Sequence, residues 1–291
     1  MTLAALIGQV ERRLRAARLH YGHGTDNARD EAAFIVLRGL GLPLDCRLEK
    51  EAPKQGLERL ESLIRKRIKS RLPAAYLLHE AWLAGRSFYV DRRVIVPRSH
   101  IAHLLGGKLR PWLSRPPRRI LDLCAGSGCL AILAALAFPR AQVVASDVSA
   151  GALAVAARNV QRYRLRKRIR LVRSDLFVGL AGERYDLIVT NPPYVPEAEM
   201  RELPPEYRRE PRLSLAGGAD GLSAVRKIIE QAKDHLRSGG LLVCELGANR
   251  RALERACPKL PLYWPQDEVF ILEAPRRPAA SRAVPRRAAA R

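Results

Sequence analysis

From Arg118 onward, short apolar runs alternate with helical patterns, and this alternation constrains the fold more than any other feature of the chain. The runs Arg119–Leu123, Gln142–Ser146, Ile169–Arg173, Tyr185–Thr190 and Leu241–Glu245 read as buried strands. Helical patterns lie between them, from Cys129 to Ala137 and from Ala150 to Tyr163. Strands separated by helices cannot pair as hairpins. They need crossover connections, and these give a doubly wound, largely parallel α/β sheet. Two further strands, near Leu262 and over Val269–Leu272, are expected to close it. In such sheets a ligand sits outside the carboxyl ends of the strands, at the switch in strand order. The residues that follow each strand are therefore the candidate site.

The first strand runs into Asp122-Leu123-Cys124-Ala125-Gly126-Ser127-Gly128-Cys129. Gly126 and Gly128 permit a tight turn and close approach of a ligand to the backbone. Asp147 ends the second strand about 20 residues on, where an acid accepts from both ribose hydroxyls of a nucleoside. Asp175 follows the third strand, placed to accept from an adenine amino group. The fourth delivers Asn191-Pro192-Pro193-Tyr194 to the same edge. Prolines donate no backbone hydrogen bond, so carbonyls in this turn stay free as acceptors. The Asn191 amide oxygen and the Pro192 carbonyl together suit the two hydrogens of a planar NH2 group, with Tyr194 stacked on its face.

Singly, each feature has a plainer meaning. Pro-Pro after a strand stops a chain, and an isolated Asp often caps a helix. Gly126 to Ala131 also fits a dinucleotide fingerprint, so a nicotinamide dinucleotide competes on that motif alone. Asp122 argues against it. A negative charge just before the turn opposes a pyrophosphate and suits a cationic amino or sulfonium group. Taken together, the four strand ends describe methyl transfer from S-adenosylmethionine.

The rest of the chain frames this unit. With 291 residues there is room for one large domain and one small one. Thr2 caps a helix carrying Leu3, Leu6, Ile7, Val10 and Leu14; Asp26 or Asn27 caps a second through Leu40; a third runs from about Gln55 to Ser70. These predict an N-terminal helical domain over 1–75. A hairpin turning near Gly85, then Val94-Ile95-Val96-Pro97-Arg98-Ser99 and a helix capped by Ser99, form a hinge over 76–114. The catalytic domain spans 115–274. Residues 275–291 hold only Pro, Arg, Ala, Ser and Val and read as a disordered basic tail.

Composition adds limits. No apolar run reaches membrane-spanning length, and Met1 to Leu6 leads into Glu11-Arg12-Arg13 rather than a leader, so a cytoplasmic protein is expected. Cys46, Cys124, Cys129, Cys244 and Cys257 lack paired ligand spacing, and His100 with His103 is a weak pair, so no metal is expected. The net charge of +23 attracts phosphate polymers, although a bias toward Arg codons produces the same number.

At this point the residues resemble a known family, the HemK-type protein-glutamine N5-methyltransferases, and within it the PrmB branch, which acts on the large-subunit ribosomal protein numbered three. The match runs from about Tyr21 to Val269. It is carried by Tyr21-Gly22-His23-Gly24-Thr25-Asp26-Asn27, Phe88-Tyr89-Val90-Asp91, Val96-Pro97-Arg98-Ser99, Tyr207-Arg208-Arg209-Glu210-Pro211 and Leu215-Ala216-Gly217-Gly218-Ala219-Asp220-Gly221. The resemblance implies a Rossmann-like class I S-adenosylmethionine-dependent methyltransferase sheet with a reversed last strand, behind a small helical domain that recognises the substrate protein. It implies that Ala125, Gly126, Ser127, Gly128, Asp147, Asp175 and Leu176 line the cofactor, which leaves as S-adenosylhomocysteine; Asp122, Cys124 and Asn191, at the same strand ends, are counted with them as cofactor candidates. Asn191, Pro192, Pro193 and Tyr194 would hold the glutamine, with Asn191, Pro192 and Tyr194 at the reaction. The chain departs from the pattern at His103, where an acid is usual, and at Trp264-Pro265-Gln266-Asp267-Glu268, where a glycine-rich segment is expected.

Two rivals remain from the residues alone. An adenine-N6 methyltransferase of DNA or RNA needs the same turn, because adenine's amino nitrogen is also planar and non-basic. A non-enzymatic ribosome-assembly factor would use the charge and tail instead. Ribosomal proteins are themselves basic, so ribosomal RNA is a candidate bridge between this chain and such a substrate.

Overall fold

The computed structural model describes residues 1–276; the expected basic tail lies almost entirely outside them. Helices α1 (Leu3–Ala16), α2 (Ala28–Gly39), α3 (Leu57–Ser70) and α4 (Ala74–Leu78) pack around Leu3, Ile7, Leu14, Ile35, Leu60 and Ile64. The Thr2 hydroxyl accepts from the Ala5 amide at 3.2 Å. Between the two candidates for the second cap, Asn27 is the one used: its side chain accepts from Asp30 N at 3.0 Å. The α3 stripe also buries Arg67, whose Nε donates to Glu31 at 2.8 Å.

Strands β1 (Ala81–Leu83) and β2 (Arg86–Phe88) form the hairpin. Ala84 and Gly85 both have positive φ (49° and 70°), as a two-residue primed turn demands. The helix after Ser99 is shorter than its apolar spacing predicts. Its α-helical part, α5, covers only Ile101–His103 before the coil widens over Leu104–Lys108. Gly106-Gly107 breaks it, with Gly107 at φ 133°.

Strand and helix then alternate: β3 (Arg119–Leu123), α6 (Cys129–Ala137), β4 (Gln142–Asp147), α7 (Ala150–Arg162), β5 (Ile169–Arg173), β6 (Tyr185–Thr190), α8 (Glu197–Glu202), α9 (Ser223–His235), β7 (Leu236–Glu245), α10 (Arg250–Ala256), β8 (Tyr263–Gln266) and β9 (Val269–Glu273). The sheet order is β5-β4-β3-β6-β7-β9-β8. β3 to β7 run parallel; β9 lies antiparallel to β7, and β8 to β9. β7 starts earlier than its apolar run suggests, because Leu236 already pairs with Tyr185 before a bulge at Gly239-Gly240. A Cβ on Gly240 would stand 2.9 Å from the Arg237 carbonyl and 3.0 Å from that of Tyr185, so only glycine fits the bulge.

Each face of the sheet carries its own core. Ile120, Leu187, Val189, Val243 and Ile271 lie under α6, while Leu121, Leu123, Ile188, Leu242 and Phe270 lie under α9. Burying one such side chain contributes about 1.5–3 kcal/mol. The chain winds outward in both directions from β3 and β6, so the switch in strand order falls between them. Their last residues, Leu123 and Thr190, are partners, and the Thr190 hydroxyl donates to the Leu123 carbonyl at 2.8 Å. The glycine turn and the Asn191 turn therefore leave the sheet side by side.

Candidate active site

A cavity of about 390 Å³ opens at this switch point, in the size range of small-molecule sites. Cys124, Gly126, Asp147, Asp175, Leu176, Asn191 and Pro193 line it, joined by Val148, Ser174 and Lys227. Asp147 organises it. One carboxylate oxygen accepts from Gly126 N at 2.9 Å and the other from Ser149 N at 2.9 Å. Burial pushes the Asp147 carboxyl above its ordinary range, and these amides pull it back. The turn after β5 is equally fixed. The Ser174 hydroxyl donates to the Leu176 carbonyl at 2.6 Å and accepts from Gly179 N at 2.9 Å, holding Leu176 at φ 45°.

Other expected cofactor residues stand behind the cavity wall. Ala125 N donates to the Ser146 carbonyl at 2.9 Å, and the Ser127 carbonyl accepts from the Asn159 side chain at 2.9 Å. Gly128 lets α6 approach α7: a Cβ there would lie 3.0 Å from that of Ala156. Asp122 is fully buried and turned toward α6, accepting from Ala131 N at 2.8 Å; its second oxygen has no partner. Burial raises its carboxyl to about 8. Asp122 is thus placed beside the helix N-terminus rather than on the cavity, as strand parity requires: it shares a face with Ile120, the residue under α6. The Gly126 amide donates to Asp147 and the Ala131 amide, in the first turn of α6, to Asp122.

The Asn191 turn is clamped by backbone. Val195 N donates to the Leu215 carbonyl and Gly217 N to that of Val195, each at 2.8 Å. The Asn249 side chain donates to the Tyr194 carbonyl at 2.7 Å. Gly217 and Gly247 are needed for this fit. A Cβ on Gly217 would lie 2.7 Å from Tyr194 Cα, and one on Gly247 would lie 2.6 Å from the Tyr194 ring. Neither proline spends a donor here, so the turn is rigid while its acceptors stay available.

A second cavity, of about 630 Å³, lies on the other side of Asn191. Pro192, Tyr194, Trp82, His100, His103, Tyr207 and Glu245 line it together with Gly22, Asp26 and Arg98. Asn191, Ile95 and Ser214 line both cavities. The wall is held by ion pairs between distant segments. Arg98 donates to both oxygens of Glu210 at 2.7 and 2.5 Å, and Val96 N adds a bond at 2.9 Å. Burial alone would raise the Glu210 carboxyl; the Arg98 guanidinium outweighs it and holds it at about 2. Tyr207 packs on His23 with ring centroids 4.3 Å apart and lies under the Arg98 guanidinium at 5.2 Å. Glu206 accepts from Arg71 at 2.8 Å and from His20 N at 3.1 Å. Burial pushes the Tyr194 phenol up to about 12, so it stays neutral.

Glu245 belongs to this wall although sequence reasoning does not single it out. It is buried at the end of β7, accepting from the Ser99 hydroxyl at 2.6 Å and from His100 N at 3.0 Å. Its carboxyl, not Ser99 alone, caps α5. A signal for it exists in the sequence, since an acid at the carboxyl end of a parallel strand is what singles out Asp147. His103 stands exposed on the rim of the second cavity. The Trp264–Glu268 segment forms β8 and its turn, with Arg250 over the Trp264 ring at 4.7 Å. Among the described residues, no three His, Cys, Asp or Glu side chains come together as a metal site.

Residues 108–203 match the family model described as the methyltransferase small domain. Across most of the chain the fold is similar to the hMettl16 catalytic domain solved in complex with MAT2A 3'UTR hairpin 1, with a TM-score of 0.50 and 15% identity, covering 94% of this chain and 95% of that one. A mostly parallel sheet, a glycine turn over a strand-end acid and this family match define a Rossmann-like methyltransferase. Sequence relatives narrow the class. A Bordetella pertussis protein named ribosomal protein uL3 glutamine methyltransferase is 54% identical over 281 residues, 93% of this chain and 94% of that protein. Proteins of the same name from Burkholderia pseudomallei (46% identity; 96% of this chain, 97% of that protein) and Neisseria meningitidis (50%; 87% and 84%) agree. The chain belongs to the family of ribosomal protein uL3 glutamine methyltransferases.

Proposed function

We propose that this enzyme transfers a methyl group from S-adenosylmethionine to the side-chain N5 of a glutamine in ribosomal protein uL3, in the cytoplasm. The observation that carries the reading is Asn191: a single amide at the end of β6 borders both cavities. In this reading Asp147 accepts from the ribose hydroxyls, Asp175 from the adenine amino group, and Cys124, Gly126 and Leu176 line the nucleoside. Ala125, Ser127 and Gly128 shape the turn from behind, and Asp122 anchors α6. The cofactor supplies a methyl carbon made electrophilic by its sulfonium.

The chain's own part is positioning. An amide nitrogen is a poor nucleophile because its lone pair is delocalised. Asn191 Oδ1 and the Pro192 carbonyl accept from its two N–H groups, fix its rotation and aim the nitrogen across the boundary between the cavities. Pro193 keeps the turn stiff, and Tyr194, neutral and seated on Gly247, covers the planar group. Positioning of this kind supplies up to roughly 7–11 kcal/mol of barrier reduction. No strong base is required beforehand, since the proton becomes acidic only as the methyl group arrives.

The helical domain, through Gly22 to Asp26 on the second cavity, would contribute to recognition of the substrate protein, with ribosomal RNA as a further contact of the basic surface. The test is incorporation of labelled methyl groups into purified uL3, mapped by mass spectrometry, beside RNA and DNA controls. Label on a uL3 glutamine supports the reading. Label on adenine alone would replace it with the nucleic-acid reading, and no cofactor binding at all would favour an assembly factor.

A further inference from the structure

Each active-site cavity carries one cation, Arg98, which Glu210 neutralises, in the larger and Lys227 in the smaller. A denser group of positive charges lies at the opposite edge of the sheet, where the strands begin. A groove of about 890 Å³ runs between the segment leading into β3, the turn after α6 and the start of β7. Arg110, Arg115, Arg118, Arg140 and Arg237 line it, and no Asp or Glu does. One carboxylate stands behind them: Asp186 is within 3.4 Å of Arg115 and 3.3 Å of Arg237, and its other oxygen accepts from the backbone amides of Arg118 and Arg119. Among the described residues, the exposed side chains of Arg110, Arg118 and Arg140 have no acidic partner.

The groove continues past Arg110 into a second hollow reaching Arg86 and the exposed Leu136. On the same short turn as Arg110, Trp112 lies 37% exposed against Tyr263, itself 48% exposed, with ring centroids 5.4 Å apart. Five guanidiniums on one groove, three of them without an acidic partner among the described residues, suit a nucleic-acid backbone, and the exposed aromatic pair that Trp112, on the segment that bears Arg110, forms with Tyr263 offers a surface for unstacked bases. A single small anion would need donors converging on one point, and here the arginines come from three separate segments around a groove of about 890 Å³. An acidic protein would leave the aromatic pair unexplained.

We propose that this groove docks the phosphate backbone of RNA. The proposal rests on the uL3 reading for the partner's identity: a basic enzyme and a basic ribosomal protein repel each other, and RNA held at the back of the sheet would bring a bound substrate protein within reach of the front.

The experiment uses the full chain and a fluorescein-labelled single-stranded RNA, followed by anisotropy across a salt series. The triple variant Arg110→Glu, Arg118→Glu, Arg140→Glu should weaken binding at least about 30-fold, and the slope of log affinity against log salt should fall by about 2, at about 0.7 for each phosphate no longer neutralised. Trp112→Ala should cost about tenfold, the scale of removing one base stack. An equal charge change on α3 and its approach, Lys54→Glu, Arg59→Glu, Lys66→Glu, should stay within about threefold of wild type. Unchanged circular dichroism and unchanged methylation of free uL3 by the groove variant would show an intact fold and active site. Three results overturn the proposal: the groove variant binding RNA as wild type does, the α3 variant weakening as much as the groove variant, or polyglutamate displacing the RNA as well as unlabelled RNA does. Absence of methyl transfer by wild type would strike the uL3 reading and leave the RNA result standing.

Discussion

The two cavities that meet at Asn191 are built by different means. The smaller cavity is made of turns that leave neighbouring strands, fixed by bonds between close segments: Asp147 to Gly126 and Ser149, Ser174 to Leu176 and Gly179. The larger cavity, proposed to take the substrate, is made of segments far apart in the chain, joined by buried ion pairs and hydrogen bonds: Arg98 with Glu210, Arg71 with Glu206, Glu245 with Ser99. A site for a common small molecule can be an automatic product of strand ends. A site for one protein substrate is assembled from the parts that vary between folds, and it carries the cost of buried charge. Three of the four segments that mark the family branch, Tyr21 to Asn27, Val96 to Ser99 and Tyr207 to Pro211, converge on this second wall around the Tyr207 ring.

Substitutions separate the two halves. The largest effect belongs to their boundary. Asn191→Ala should lower methyl transfer by at least about 100-fold, the scale of a misplaced reacting group, while calorimetry finds cofactor affinity within about threefold of wild type. Full activity would remove Asn191 from the reaction.

Next comes the substrate wall. Arg98→Ala leaves the Glu210 charge buried without its partner and should destabilise the fold by about 3–5 kcal/mol, read by urea denaturation. The pH dependence has a definite sign. Glu210 is held at about 2 against an ordinary value of 4.5. Its contribution, about 3 kcal/mol, is fully present above pH 4.5 and is lost as pH falls toward 2. Glu210→Gln should flatten that part of the acid melting profile. An unchanged profile would mean that the pair contributes nothing net.

Asp147→Ala acts on the other side. Removing a charge-assisted hydrogen bond to the ribose should cost about 1.5–3 kcal/mol of cofactor affinity, and the apparent affinity for uL3 should hold. A fall in both affinities in equal measure would erase the division between the halves. The smallest effect concerns Cys124, whose thiol burial pushes up to about 12. At pH 7.5 it should react with iodoacetamide far more slowly than a free thiol, and bound cofactor should slow it further. Rapid alkylation, unslowed by cofactor, would contradict the place of the half-buried Cys124 on the smaller cavity.

The same division governs what can be read from sequence. Five parallel strands, the glycine turn, Asp147, Asp175 and the Asn191 turn are local signals, and each lies where strand periodicity puts it. Asp122 does not line the smaller cavity, because the same periodicity, applied one step further, turns it toward α6 beside Ile120. Glu245 is legible by the rule that finds Asp147, but its strand lies beyond the loop of the catalytic turn, where no motif draws attention to it. The partners of Glu210 and Glu206 are not legible. An ion pair spanning 112 residues, as between Arg98 and Glu210, leaves no mark on local pattern. Nor does periodicity reveal a groove whose arginines come from three separate segments of the chain.

The most direct measurement is a crystal structure with S-adenosylhomocysteine and a glutamine-bearing uL3 peptide bound together. The sulfur is expected in the smaller cavity and the glutamine in the larger, with its nitrogen on the Asn191 side chain and the Pro192 carbonyl. The gap between them should be one methyl group plus an approach of about 3–3.5 Å. A glutamine nitrogen away from Asn191, or a sulfur pointing into the sheet rather than across that gap, would contradict the account.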